Sequence, residues 1–140
     1  MAATHLLDSS VYCQPLKPLP LKSVVARWKA LGDQALATSV ICEAEVLFGL
    51  ELRRSEKLNR LYAEVLRDRL PLYPVDREVS LAFARAKASA RKRGKVCSDF
   101  DFLIAATAQV HGLAVATLNA QHFRFIEDLE VEDWSTPLER

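Results

Sequence analysis

Compact apolar runs alternate with amphipathic stretches along the chain, and each kind of run predicts a different element. Three of the apolar runs, at residues 5–8, 35–38 and 113–117, predict short buried strands. Residues 71–75 predict an extended link or strand, because each proline disfavours helix in the residue before it. Partial alternation over residues 130–134 predicts an edge strand. The chain therefore carries four to five candidate strands.

Helical periodicity fills the spaces between these strands. Four segments repeat apolar residues every three or four positions: 22–31, 39–52, 55–69 and 76–94. A fifth, 98–111, is apolar nearly all round and ends at Gly112, which indicates a central buried helix. Alternating strands and helices with short connections predict an α/β fold, with a parallel, Rossmann-like sheet between layers of helices.

Composition narrows the class of protein. A length of 140 residues fits one domain over 1–140, and an apolar half is enough for a substantial core. The formal net charge of +1 carries no information about nucleic acids, so only local clusters of charge can do so. The three cysteines are odd in number and follow no recognisable spacing, which disfavours a disulfide framework or a zinc site.

We expect a cytoplasmic protein without a membrane partner. The first residues lack the basic and apolar regions of a signal peptide, and no apolar stretch approaches the length of a membrane span. The cysteine usage also favours a reducing compartment.

Polar groups stand where the predicted strands end. Asp8, Ser9 and Ser10 follow the first strand, and Thr117 and Asn119 follow a later one. Ligands bind at the carboxyl edge of open α/β sheets, so these side chains are candidates for a site. Asp8 has an alternative role as an ordinary N-cap for the residues after it.

Two pairs of acids lie inside predicted helices. Residues two apart on a helix point about 200° apart, so only one of Glu43 and Glu45, and one of Asp99 and Asp101, can face a given site. This spacing leaves open which one does so. Each pair also has a structural alternative, since acids are favoured near a helix N-terminus and Ser98 with Asp101 matches a capping box.

Carboxylates without a histidine or cysteine ligand pattern suit hard cations such as Mg²⁺ or Mn²⁺. Such ions activate water and neutralise charge on a phosphodiester. A basic cluster precedes the second acid pair and comprises Arg91, Lys92, Arg93 and Lys95. It either complements the dipole at a helix C-terminus or contacts phosphates.

In their order and intervals these motifs resemble the PIN domain family, and within it the VapC-like toxin ribonucleases of bacterial toxin–antitoxin pairs. The resemblance runs nearly end to end. It is carried by Leu6–Val11, Ser39–Gly49, Ser98–Ala106 and Val115–Asn119, followed by His122-Phe123 and Asp133-Trp134.

The resemblance implies a three-layer α/β/α fold and an Mg²⁺- or Mn²⁺-dependent endoribonuclease. It assigns Asp8, Glu45 and Asp101 as catalytic acids, with Asp8 and Asp101 as metal ligands. Supporting roles fall to Ser9, Asp99, Thr117 and Asn119. The implied partners are an RNA substrate, a cognate antitoxin that inserts into the active-site groove, and a second copy in a homodimer.

The chain departs from the family pattern at two positions. Ser10 stands where asparagine is usual, and Asn119 stands where many relatives have a fourth acid. These departures leave open the second metal position and the level of activity. The alternative is a catalytically weak or inactive PIN-like module that binds RNA or a protein partner.

Overall fold

Five parallel strands form one sheet in the computed structural model, which describes residues 2–137. The strands are β1 (His5–Leu7), β2 (Leu36–Ser39), β3 (Leu72–Tyr73), β4 (Ala114–Thr117) and β5 (Val131–Asp133). Their order is β3-β2-β1-β4-β5, with β1 at the centre and β5 at an edge. The strand order reverses beside β1, which confirms the predicted parallel sheet and places its switch point next to Asp8.

Helices cover the sheet in a three-layer α/β/α arrangement. They are α1 (Ser9–Tyr12), α2 (Lys22–Leu31), α3 (Val40–Arg53), α4 (Glu56–Val65), α5 (Arg77–Lys92) and α6 (Asp99–His111). Side-chain caps explain where the last four begin, since each N-cap oxygen accepts a backbone N–H bond of its first turn. These caps are Ser39, Ser55, Asp76 and Ser98.

The fourth helix is shorter than its predicted range of 55–69. It ends at Val65, and the chain then turns through Asp68, whose φ of 62° lies in the left-handed region. Leu66 and Leu70 are nevertheless buried. The turn thus continues the apolar pattern that predicted a longer helix.

The core packs the strands against several helices, of which α6 contributes the most buried residues. Leu6, Leu7, Val115 and Ala116 are fully buried on the central strands. The middle of α6 is buried as well, because its alanines permit close packing against α5 and β4. No helix within residues 2–137 is long and apolar enough to cross a membrane.

Candidate active site

Asp8 lies at the carboxyl end of the central strand and is only 5% exposed. Its Oδ1 atom accepts hydrogen bonds from the Ser10 hydroxyl at 2.5 Å and from the Val11 N–H at 3.2 Å. Its Oδ2 atom accepts a bond from the Thr117 hydroxyl at 2.6 Å. Asp8 therefore caps α1 and also bonds to the neighbouring strand, so the cap leaves its second carboxylate oxygen directed at the edge of the sheet.

Two hydroxyl groups join the turns that follow β1 and β4. Thr117 donates to Asp8 and accepts the N–H of Asn119 at 2.9 Å. Ser10 donates to Asp8 and accepts the N–H of Leu118 at 3.1 Å. The parallel register pairs Leu7 with Ala116, which brings these distant segments side by side.

The charge on Asp8 has no basic partner among the ion pairs between described residues. Burial raises the pKa of the Asp8 carboxyl, and the negative charge of Asp101 raises it further, whereas the bonds from Ser10, Thr117 and Val11 lower it. The net result is a pKa above the ordinary value of 3.8. Ionised Asp8 thus lies close enough to another carboxylate to be repelled by it.

The two acids at the start of α6 point to different partners. Ser98 caps the helix by accepting the Asp101 N–H at 3.1 Å. The Asp101 carboxylate, 24% exposed, lies 3.6 Å from Nδ1 of His122. Asp99 instead forms an ion pair with Lys87 on α5 at 2.7 Å and is 59% exposed. The structure therefore directs Asp101 towards the site and Asp99 towards α5.

The acids of α3 separate in the same way. Glu45 accepts a hydrogen bond from the hydroxyl of Ser9, the residue after Asp8. Glu43 lies near Tyr12, where burial, Tyr62 and the charge of Glu43 raise the tyrosine pKa. Glu45 thus belongs to the Asp8 side, and it is half-buried there because it borders a cavity.

The donor atoms suit a hard cation in kind. Carboxylate and hydroxyl oxygens are the ligands that Mg²⁺ and Mn²⁺ prefer. The side chains are not close enough to form a complete site, however. Across residues 2–137, no three acidic, histidine or cysteine side chains gather closely enough to hold a metal. Asp8, Glu45 and Asp101 share one edge of the sheet, but each is held by its own partner. Metal binding by Asp8 and Asp101 stays a prediction.

The predicted RNA-binding cluster lies at the end of α5 and in the turn that leads to α6. All four of its side chains are exposed: Arg91, Lys92, Arg93 and Lys95. Arg93 lies 3.7 Å from Glu127, so part of its charge is compensated. RNA binding by this cluster stays a prediction.

The sequence made Ser10 a candidate at the edge of the sheet without giving it a specific role, and it gave no role to His122. Ser10 bridges two turns at the switch point, and His122 contacts Asp101. The sequence does offer a reason to place His122 near the site, since it follows Asn119 by three residues at the predicted carboxyl edge of the sheet. The bridge of Ser10 to residue 118 depends on the strand register and has no local signal.

Comparisons with known proteins agree with this architecture. A family model described as PIN domain matches residues 5–127. The chain is 35% identical over 132 residues to Toxin FitB of Neisseria gonorrhoeae, covering 90% of this chain and 94% of the relative. It is 36% identical over 124 residues to VapC ribonuclease Y4jK of Sinorhizobium fredii, covering 84% and 89%. The solved structure of FitAB bound to an IR36 DNA fragment superimposes with a TM-score of 0.87 at 31% identity, covering 98% of this chain and 99% of that chain.

Proposed function

This chain belongs to the PIN domain family, and we propose that it is a metal-dependent endoribonuclease, the toxin of a toxin–antitoxin pair. The observation that carries the proposal is the buried Asp8 carboxylate, held by neutral donors beside Asp101 at the switch point of the sheet. Relatives that match most of the chain are named as a toxin and as a ribonuclease, which supports RNA as the substrate class.

We propose Mg²⁺ or Mn²⁺ as the cofactor, with Asp8 and Asp101 as the residues that would hold it. A buried carboxylate repelled by a second one is stabilised by a nearby cation. When bound, such an ion supplies an activated water and offsets the charge that develops on the phosphodiester.

The protein's own contribution is to fix the acids. Thr117 and Ser10 each bond one oxygen of Asp8, which leaves that carboxylate little rotational freedom. Ser9 orients Glu45 from the same turn. Hydroxyl groups that hold acids in this way orient a ligand set before the ligand arrives.

We propose a cognate antitoxin as the protein partner. Two similarities support it: one relative of this chain is named Toxin FitB, and a similar solved structure is that of the FitAB assembly. The homodimer stays a prediction.

Cleavage of single-stranded RNA in Mg²⁺, in Mn²⁺ and in EDTA tests the proposal. We expect Asp8→Asn and Asp101→Asn to lose at least about 100-fold in rate, the usual scale for removing a key electrostatic group. Glu45→Gln should also lose activity. Glu43→Gln is the matched control, since it lies on the same helix but faces Tyr12. Parental activity in both aspartate variants would show that these acids are wrongly assigned, and activity in EDTA would refute the metal.

The second candidate is a non-catalytic module that binds RNA or protein. It is favoured by the incomplete gathering of metal-binding side chains within residues 2–137. The same assays distinguish it: no cleavage and no Mn²⁺ affinity, together with salt-sensitive RNA binding, would support this candidate.

A further inference from the structure

A cavity of about 200 Å³ adjoins the acids on the side of α3. Most of its wall is apolar and comes from Cys13, Leu16, Val46, Leu50 and Leu58. The remaining lining comprises Ser9, Lys17, Glu45, Gly49 and Arg53. The cavity therefore combines an apolar interior with two cations and one catalytic-site acid.

The cavity lies beside the turn that carries Asp8. Ser9 and Glu45 line it and are hydrogen-bonded to each other, and Ser9 directly follows Asp8. A molecule that binds at both Asp8 and the cavity would therefore pass along Ser9 and Glu45. This continuity favours the substrate itself as the occupant.

Gly49 has no packing explanation. It lies inside α3, where glycine costs about 0.5–1 kcal/mol relative to alanine. A Cβ atom built there meets nothing within 4 Å, and Gly49 is not among the residues with positive φ. Neither backbone conformation nor core packing therefore requires glycine at this position. The missing side chain leaves the helix backbone open towards the cavity, which gives a ligand room to lie against it.

Lys17 and Arg53 supply the positive charge at the cavity. Neither takes part in an ion pair between described residues. Arg53 ends α3 two turns after Glu45, and its planar guanidinium matches the oxygens of a phosphate. An uncompensated lysine and arginine beside an apolar cavity fit a group that has an apolar face and carries a phosphate.

We propose that this cavity is a nucleotide subsite for the RNA substrate. One nucleobase enters between the apolar wall and Gly49, and the adjacent phosphate binds Lys17 and Arg53. This inference rests on the proposed ribonuclease function and assigns it a binding site separate from the basic cluster at residues 91–95. Contact between a base and an apolar surface tolerates sequence variation, so this subsite does not require one particular base.

RNA binding tests the phosphate contacts. A labelled single-stranded RNA is titrated in rising salt with the Asp8→Asn chain, which keeps the RNA intact, and with the same chain carrying Lys17→Ala and Arg53→Ala. Each lost contact should lower the salt slope by about 0.7, so we expect a slope smaller by about 1.4 and roughly 25-fold weaker binding at 0.1 M salt. The matched controls, Lys29→Ala and Arg60→Ala, change cations outside this cavity and should leave the slope unchanged.

Gly49→Leu tests the base contact, because its side chain would fill the cavity. We expect weaker RNA binding with an unchanged salt slope, whereas Gly49→Ala, which adds a single carbon, should bind more nearly like the parent. Thermal unfolding of both variants checks the fold, and neither should lower Tm, since glycine is the less favourable helix residue.

The outcomes separate this inference from the function beneath it. If the otherwise wild-type chain cleaves RNA while the Lys17, Arg53 and Gly49→Leu variants bind RNA normally, the subsite is refuted and the ribonuclease function stands. If these variants keep RNA affinity but lose a co-expressed antitoxin, the subsite is refuted and the occupant is a protein. If the parent neither binds nor cleaves RNA, both proposals fail.

Discussion

Replacing Thr117 with valine isolates the hydrogen bonds that hold the buried Asp8 carboxylate. Thr117 is fully buried, donates to Asp8 Oδ2 at 2.6 Å and accepts the N–H of Asn119 at 2.9 Å. Valine has nearly the same shape as threonine, so the substitution removes both bonds without opening a cavity. The change in stability then reports on the hydroxyl alone.

The expected loss follows from the chemistry of the two bonds. A hydrogen bond to a charged group contributes about 1.5–3 kcal/mol, and an unpaired, partly buried N–H costs about 1 kcal/mol more. The added methyl group recovers up to about 0.8 kcal/mol. We therefore expect Thr117→Val to lower the free energy of unfolding by about 2–3 kcal/mol. At about 2.1 cal/mol/K of unfolding entropy per residue, a chain of 140 residues should lose about 7–10 °C in Tm.

The same substitution in an Asp8→Asn background provides the control. The amide oxygen can still accept the bonds from Ser10 and Val11, but the charge is gone. Because burial raises the pKa of Asp8 above 3.8, ionisation opposes folding as pH rises through that range, and Asp8→Asn alone should raise stability at pH 7. A neutral hydrogen bond contributes only about 1 kcal/mol, so Thr117→Val should cost less in this background.

Urea denaturation at pH 7, followed by circular dichroism, measures all four proteins of this cycle. A coupling energy of at least about 1 kcal/mol is expected for two residues in direct contact. Equal costs of Thr117→Val in both backgrounds would refute the idea that the hydroxyl acts through the Asp8 charge.

Two further predictions concern carboxylates away from the site. Arg69 donates two hydrogen bonds to Asp33, at 2.9 and 3.2 Å, and these bonds lower the pKa of Asp33. Because solvent screens this pair, Asp33→Asn should lower the free energy of unfolding by about 1 kcal/mol. The loss should shrink in 1 M salt, and an unchanged loss would contradict the prediction. Burial raises the pKa of Glu132, but hydrogen bonds from His5 and Trp134 outweigh it and hold that pKa below 4.5. The ionised Glu132 therefore stabilises the fold fully above pH 4.5, and this stabilisation is lost as pH falls through the lowered pKa. On acidification the wild type should lose more stability than Glu132→Gln. Parallel curves of stability against pH for the two proteins would refute this.

The elements of the fold were predictable because their signals are local. Each of the caps Ser39, Asp76 and Ser98 accepts a hydrogen bond from a backbone N–H two or three residues further along the chain. Gly112 ends α6 with a φ of 66°. The end of α4 was not predictable from periodicity, since the turn after Val65 buries leucines at nearly the same spacing as a helix.

The choice within each acid pair depends on more than local spacing. Cys42, Val46 and Leu50 form the buried stripe of α3. At about 100° per residue, Glu43 and Glu45 lie on opposite flanks of that stripe. The helical period therefore separates the two acids, but which flank faces Asp8 depends on how the helix crosses the sheet. That information is absent from any short stretch of sequence, and here it came from the tertiary structure and from the family resemblance.

The partners of Asp8 and Glu45 leave the negative charge of both acids uncompensated. Serine and threonine hydroxyls hold Asp8 and Glu45, and hydroxyls fix a carboxylate without neutralising its charge. Asp99, by contrast, has its charge compensated by Lys87. A lysine or arginine bonded to Asp8 would stabilise the fold more, but it would also compete with a metal ion for the same oxygens. Two cations without an ion-pair partner among the described residues, Lys17 and Arg53, line the adjoining cavity, where they can attract a phosphate without occupying the acids.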